Sequence, residues 1–154
     1  MEKAKKTTVR DWMTRNPFTI DESASIIEAM HLMKEKDIRR LPVMRNGRLV
    51  GVVTDRMIKD YAPGKATTLD TWEVHYLLAK TSVKTAMNPN PHVVRPDVLL
   101  TDAALTIRDN KLYGLCVVDD GGDLIGVLTI KDLIEALFYL SAEAQGREPQ
   151  SPPA

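Results

Sequence analysis

The sequence has one cysteine, Cys116, and aromatic residues make up only 5% of its 154 positions. A single thiol excludes a disulfide framework, and its place inside an apolar run predicts a buried side chain. His31, His75 and His92 stand far apart, and no pair of His or Cys residues has ligand spacing. No metal site is therefore expected. Acidic and basic residues balance at 21 each, so the formal net charge is zero. No general field draws such a chain to nucleic acid or to an anionic membrane. No apolar run reaches the roughly 20 residues of a membrane span. The opening Met1-Glu2-Lys3-Ala4-Lys5-Lys6 is charged with no apolar stretch behind it. That pattern predicts no secretory signal, and with the lone thiol it predicts a reducing, cytoplasmic setting. A Gly-x-Ser-x-Gly elbow, a Walker loop and a His-Glu-x-x-His helix are all missing, so nothing points to an enzyme.

What is present is a core-forming share of apolar residues, 44%, beside 27% charged residues. These suit one domain, or two small halves that share a core. The apolar residues are arranged in a repeat. Leu41-Pro42-Val43-Met44-Arg45-Asn46-Gly47-Arg48-Leu49-Val50-Gly51-Val52-Val53-Thr54 recurs from Leu115 to Thr129 with one extra residue, Gly121. Each copy is an apolar run, a Gly-bearing turn, a second apolar run and a Thr. Asn46-Gly47 suits the positive φ angles of a two-residue hairpin turn. Further back, Val9, Met13, Asn16 and Pro17 recur 74 positions later as Val83, Met87, Asn90 and Pro91. After Gly121 the offset becomes 75, pairing Gly51 with Gly126 and Thr54 with Thr129. The chain is a duplication of a unit of about 50 residues, small enough to need its copy for burial.

Each copy reads as β-α-β-β-α. In the first, Val9 to Thr14 forms a short helical turn, Phe18-Thr19-Ile20 a short strand, and Ser25 with Glu28 a capping box that opens a helix ending near Asp37. Strands follow at Ile38 to Met44 and Leu49 to Val53, then a helix from Thr54 to Tyr61. In the second, Val93-Val94 is the short strand and Asp102 to Asn110 the helix. Strands run from Leu112 to Val118 and from Leu124 to Leu128. A last helix from about Ile130 to Ala144 carries Leu133, Ile134, Leu137 and Phe138 on one face. Leu99 stands where Ser25 stood, so Asp97 or Thr101 is expected to supply that cap. Pro63-Gly64 is a turn, and Asp70 with Glu73 opens a helix carrying Trp72, Tyr76 and Leu77. Residues 1–8 and 145–154 are polar and expected to be disordered.

The pattern Ile38-Arg39-Arg40-Leu41-Pro42-Val43, a Gly turn, Gly51-Val52-Val53-Thr54, and then Gly126-Val127-Leu128-Thr129-Ile130-Lys131-Asp132 resembles the cystathionine-β-synthase (CBS) domain. Two in tandem resemble a Bateman module, and the segment from Ala66 to Leu78 is similar to that of bacterial CBS proteins of the acetoin-utilisation type. The resemblance spans about residues 9–140. It implies an α/β (α+β) fold of two β-α-β-β-α repeats, 9–61 and 83–141, with 62–82 as a linker bearing one helix. The repeats would be related by a pseudo-twofold axis, with small sheets packed together and helices outside. It also implies a non-catalytic homodimeric sensor. Adenosine nucleotides, AMP, ADP or ATP, with or without magnesium, would bind in clefts between the sheets as regulatory ligands and signal to a regulated protein. No membrane or nucleic-acid partner is expected, and no cofactor is required. The alternative is a constitutive interaction and dimerisation module whose nucleotide sites have decayed.

Site residues follow from the resemblance, each beside a plainer account. Asp132 matches the ribose-binding carboxylate, yet Thr129-x-x-Asp132 is also a helix cap. Met57 stands at the matching position of the first repeat. Arg40, with Arg39 beside it, matches a phosphate contact, for which a planar guanidinium is suited. In a strand only one of the two points inward. Tyr113-Gly114 replaces them in the second repeat. Thr54 and Thr129 sit at helix starts, where amides favour phosphate, and Arg56 and Lys131 add charge or simply face water. Phe18, Ile20, His92 and Val94, with Leu41, Pro42, Tyr113 and Gly114, correspond to the base pocket, or to ordinary core and strand ends.

Overall fold

The turn at Asn46-Gly47 takes the shape its residues demand, with φ +50° and φ +78°. The protein is described from a computed structural model, which covers residues 6–62 and 69–146. The expected Pro63-Gly64 turn, residues 1–5 and the tail from 147 lie outside the described residues. In chain order the elements are α1 (Val9–Trp12), β1 (Thr14–Arg15), β2 (Ile20–Asp21), α2 (Ile26–Lys36), β3 (Arg40–Arg45), β4 (Arg48–Thr54), α3 (Asp55–Tyr61), α4 (Thr71–Lys80), α5 (Val83–Ala86), β5 (Val93–Val94), α6 (Leu100–Asp109), β6 (Gly114–Val118), β7 (Leu124–Thr129) and α7 (Ile130–Ala144). The fold is mixed α+β, with small sheets and helices.

The chain forms two compact units, one of residues 18–91 and one joining 1–17 to 92–154. In the first, β2 runs parallel to β3, and β3 pairs antiparallel with β4. Ser25 caps α2 in a reciprocal box. Its hydroxyl accepts the Glu28 N–H at 3.1 Å, and its own N–H donates to the Glu28 carboxylate at 2.9 Å. Ile26, Ala29 and Met33 recur at helical spacing and are buried against Leu41, Val43 and Val53 of the sheet. Asp37 ends α2 with φ +52°.

The second unit repeats this plan with β5 parallel to β6 and β6 antiparallel to β7. Its core holds Leu100, Ala103, Ile107, Leu115, Val117 and Leu128. The expected cap by Asp97 or Thr101 is replaced by backbone. Leu99 is the N-cap residue with no side-chain cap, and the Leu100 N–H donates to the Thr7 carbonyl at 2.7 Å. An apolar side chain at that position forces the amide to find its acceptor elsewhere.

These units are cut differently from the sequence repeats at 9–61 and 83–141, with 62–82 between. The opening segment of each repeat packs with the sheet of the other. Val9 and Met13 lie in the core of the second unit, while Val83 lies in the core of the first. β1 adds a fourth strand antiparallel to β7, with Thr14 opposite Val127 and Arg15 opposite Gly126. In the first unit Val52 and Asn88 exchange backbone hydrogen bonds of 2.8 and 3.0 Å. A glycine makes each approach possible. A Cβ at Gly126 would lie 2.8 Å from the Thr14 carbonyl oxygen and 2.9 Å from the Met13 sulfur. At Gly51 it would lie 2.7 Å from the Asn88 oxygen and 2.6 Å from the Met87 sulfur.

One further expectation is corrected. Residues 6–8 belong to the fold: Thr8 and Asp11 are hydrogen-bonded at the start of α1, and the Trp12 indole N–H donates to the Lys6 carbonyl at 2.8 Å. Backbone satisfaction outweighs their polar composition. On α7 the four apolar residues of one face do not share one environment. Asp132 and Ala136 are buried and Leu133 is half-buried, whereas Ile134, Leu137 and Phe138 are 48%, 64% and 71% exposed. The helix turns its small and polar residues toward its own sheet and keeps an apolar stripe outside.

Replacing Gly126 with Ala should crowd β1 off β7 and destabilise the protein by about 1–3 kcal/mol, the usual range for overpacking. Chemical denaturation of Gly126→Ala checks this; an unchanged midpoint would contradict the close-approach account.

Candidate functional site

The second unit places one charged side chain inside. Asp132 occupies the first turn of α7 and is 7% exposed, alone among the described residues as a buried polar or charged group. Its Oδ2 accepts the Thr129 N–H at 2.8 Å and the Thr129 hydroxyl at 3.1 Å. Its Oδ1 accepts the Thr14 hydroxyl at 3.3 Å. The capping bonds from Thr129 therefore fall on Oδ2. A carboxylate offers about four acceptor positions. Three are filled from within the unit, and the fourth is on Oδ1.

The elements around Asp132 are fixed by backbone. The Ile130 N–H donates to the Tyr113 carbonyl at 3.1 Å, and Gly114 lies opposite Thr129 across β6 and β7. The His92 carbonyl accepts the Cys116 N–H at 3.1 Å, so His92 leads directly into β5. Val94 pairs with Val117 and is half-buried. His92, Tyr113 and Lys131 have exposed side chains. This unit thus holds Asp132, Thr129, Lys131, Tyr113, Gly114, His92 and Val94 from the sequence-derived set.

The first unit holds the rest. Arg40 lies opposite Thr54 across β3 and β4, half-buried, while Arg39, just before β3, is exposed. The Arg39 carbonyl accepts the Asp55 N–H at 2.8 Å. Thr54 caps α3, its hydroxyl accepting the Met57 N–H at 3.1 Å. Arg56 is exposed on the same turn. Where the second unit has the Asp132 carboxylate, this unit has the half-buried thioether of Met57. Phe18 is exposed, with the Lys36 ammonium 5.1 Å from its ring centre. Ile20, Leu41 and Pro42 are buried; Ile20 and Leu41 lie in the core, so their side chains act first as packing.

Thr14 was not among the residues singled out from sequence. It is 118 positions from Asp132, and no local motif links them. The signal that could have found it is the repeat itself, which places Thr14 directly after the recurring Met13. Among the described residues no cluster of three His, Cys, Asp or Glu side chains could hold a metal ion, and no helix is long and apolar enough to cross a membrane.

The model of the CBS domain matches residues 9–64 and 83–139. The chain belongs to the CBS-domain family. It carries the domain twice, as a tandem pair. Among its relatives is CBSX2, a chloroplastic CBS domain-containing protein of Arabidopsis thaliana, 35% identical across 90% of this chain and 66% of the relative. The chain thus spans just under two thirds of that protein. The crystal structure of CBSX2 in complex with AMP superposes with a TM-score of 0.73 at 34% identity, covering 88% of this chain and 98% of that one. A putative acetoin utilisation protein from Vibrio cholerae superposes with a TM-score of 0.76 at 27% identity, covering 94% of this chain and all, 100%, of that one.

Removing the Asp132 carboxylate also removes two hydrogen bonds to Thr129. Asp132→Ala should cost about 1 kcal/mol of stability, the usual worth of a helix-start cap. Equilibrium urea unfolding of the two proteins reads this; a variant as stable as the parent would show that the cap contributes nothing.

Proposed function

We infer that this CBS pair is a non-catalytic regulatory module whose ligand is an adenosine nucleotide, AMP, ADP or ATP. The observation that carries the reading is the buried Asp132 carboxylate, with one acceptor position left on Oδ1 at the start of a 15-residue helix. A carboxylate is suited to ribose hydroxyls, and free amides of a helix start favour phosphate nearby. CBSX2, similar over most of the chain, has been crystallised with AMP, which supports the same ligand class here. Arg40, Arg39, Thr54 and Arg56 are the phosphate candidates of the first unit, and Thr129 and Lys131 those of the second. His92, Val94, Tyr113 and Gly114, with Phe18, Ile20, Leu41 and Pro42, are the base-side candidates. Met57 leaves the first unit without a ribose carboxylate, so the reading includes one nucleotide per chain.

Signalling in this reading is a shift between arrangements of a homodimer. Ile130, Ile134, Leu137 and Phe138 support a second copy as the partner of α7. They recur along one face and are 39%, 48%, 64% and 71% exposed. An unpaired apolar stripe of that kind favours association. A second reading, a constitutive interaction module, draws on Met57 and on the aromatic face of α4, where Trp72 is 83% exposed and Tyr76 61%.

AMP, ADP and ATP at millimolar concentration should raise the melting temperature. At 100 times Kd the gain is about 2.7 kcal/mol, because the ligand binds only the folded chain. The gain should vanish in Asp132→Ala, compared against that variant's own ligand-free midpoint. No shift with any of the three would favour the constitutive module. Sedimentation should show a dimer that Leu137→Glu reduces to a monomer; a monomeric parent protein would remove the dimer from the reading.

A further inference from the structure

The two sides of α4 meet different surroundings. The helix lies on α2, and Leu78 is buried in the core of the first unit with Val74, one turn earlier, packed against it. Trp72 and Tyr76 repeat the same four-residue spacing on the opposite side of the helix, and both are exposed. Lys80 continues their row one turn later, with its ammonium 4.4 Å from the Tyr76 ring centre. Among the described residues no carboxylate pairs with Lys80. The row is therefore an aromatic ridge that ends in a cation. Its complement is an extended apolar segment with a carboxylate at one end. Proline-rich segments meet this description, because they dock on aromatic surfaces in a polyproline II conformation that costs little ordering entropy.

The chain carries such a segment itself. Beyond the described residues its sequence reads Arg147-Glu148-Pro149-Gln150-Ser151-Pro152-Pro153-Ala154. With three residues per polyproline II turn, Pro149 and Pro152 fall on one edge. From Glu148 to Pro152 that conformation spans about 12 Å. From Trp72 to Lys80 the rise of an α-helix also spans about 12 Å. We propose that the Trp72-Tyr76-Lys80 ridge of α4 is the docking surface of segment 147–154, with Glu148 on Lys80, Pro152 on Trp72 and Pro149 toward Tyr76. This gives an occupant to the aromatic face of the second reading, and it stands whether or not the chain binds nucleotide.

The test is magnetic resonance of the full chain, read at the indole N–H of Trp72. The chain has only one other tryptophan, Trp12, which serves as the internal control, and Trp72→Phe assigns the two signals. In a variant carrying Pro149→Ala, Pro152→Ala and Pro153→Ala, the Trp72 signal should shift while that of Trp12 stays. A synthetic peptide of residues 146–154, titrated into that variant, should return the Trp72 signal to its parent position. The same peptide with its three prolines replaced by alanine should not. Glu148→Lys in the peptide should weaken its binding by up to about fivefold, the worth of an exposed ion pair, and Lys80→Glu in the protein should recover it. A Trp72 signal identical in the parent and the proline variant overturns the docking. So does a signal that changes only with protein concentration, which assigns the face to a second copy, and so does a peptide that leaves it unmoved. A charge swap without recovery overturns the pairing of Glu148 with Lys80 and with it the direction in which the segment lies.

Discussion

Everything in each unit depends on how closely a foreign backbone can lie on the last strand of its hairpin. At Gly126 the Thr14 carbonyl, and at Gly51 the Asn88 carbonyl, come so near that a methyl group would overlap them. Neither glycine is needed for a turn or for a positive φ. Each is the absence of a side chain where another segment must pass. The bulge just before each glycine serves the same end. Register shifts between Val43 and Met44, and again between Val117 and Val118, bending the strand at the point of contact. Val9 and Val83, both wholly buried, then complete cores that the hairpins and their helices leave open.

The same close approach creates the polar centre. Without β1 on β7, Thr14 would not reach Asp132, and the carboxylate would keep only its capping bonds. The helix start is therefore sealed from two directions, one local through Thr129 and one distant through Thr14. An acid in this position is already favoured by the helix dipole. Burial to 7% exposure is tolerable because each oxygen has a donor.

The two repeats have diverged at this place while keeping their frame. Thr54 caps α3 as Thr129 begins α7, and the Arg39 carbonyl holds the Asp55 amide as the Tyr113 carbonyl holds that of Ile130. What differs is chemistry laid on that frame. Met57 replaces the carboxylate, Arg39-Arg40 replaces Tyr113-Gly114, and Leu99 replaces the capping Ser25. One unit thus presents an acid and an aromatic ring, the other two guanidinium groups. Duplication preserved the backbone solution and left the mouths free to specialise.

The sequence by itself determined the duplication, the family, the hairpin turn at Asn46-Gly47, the Ser25-Glu28 cap and the length of the last helix. The turn, the cap and the helix rest on spacing within a dozen residues, where turn angles, caps and periodicity act, and the duplication shows as identities at an offset of 74 or 75. It also singled out Asp132, because Thr-x-x-Asp is a local signal. Only the tertiary structure decided that the opening segment of each repeat is exchanged, that residues 6–8 are ordered into the fold, and that α7 turns Ile134, Leu137 and Phe138 outward. It alone brought Thr14 to Asp132. Those outcomes depend on which backbones far apart in the chain can approach one another, and apolar periodicity is the same whether a stripe faces its own sheet or a partner.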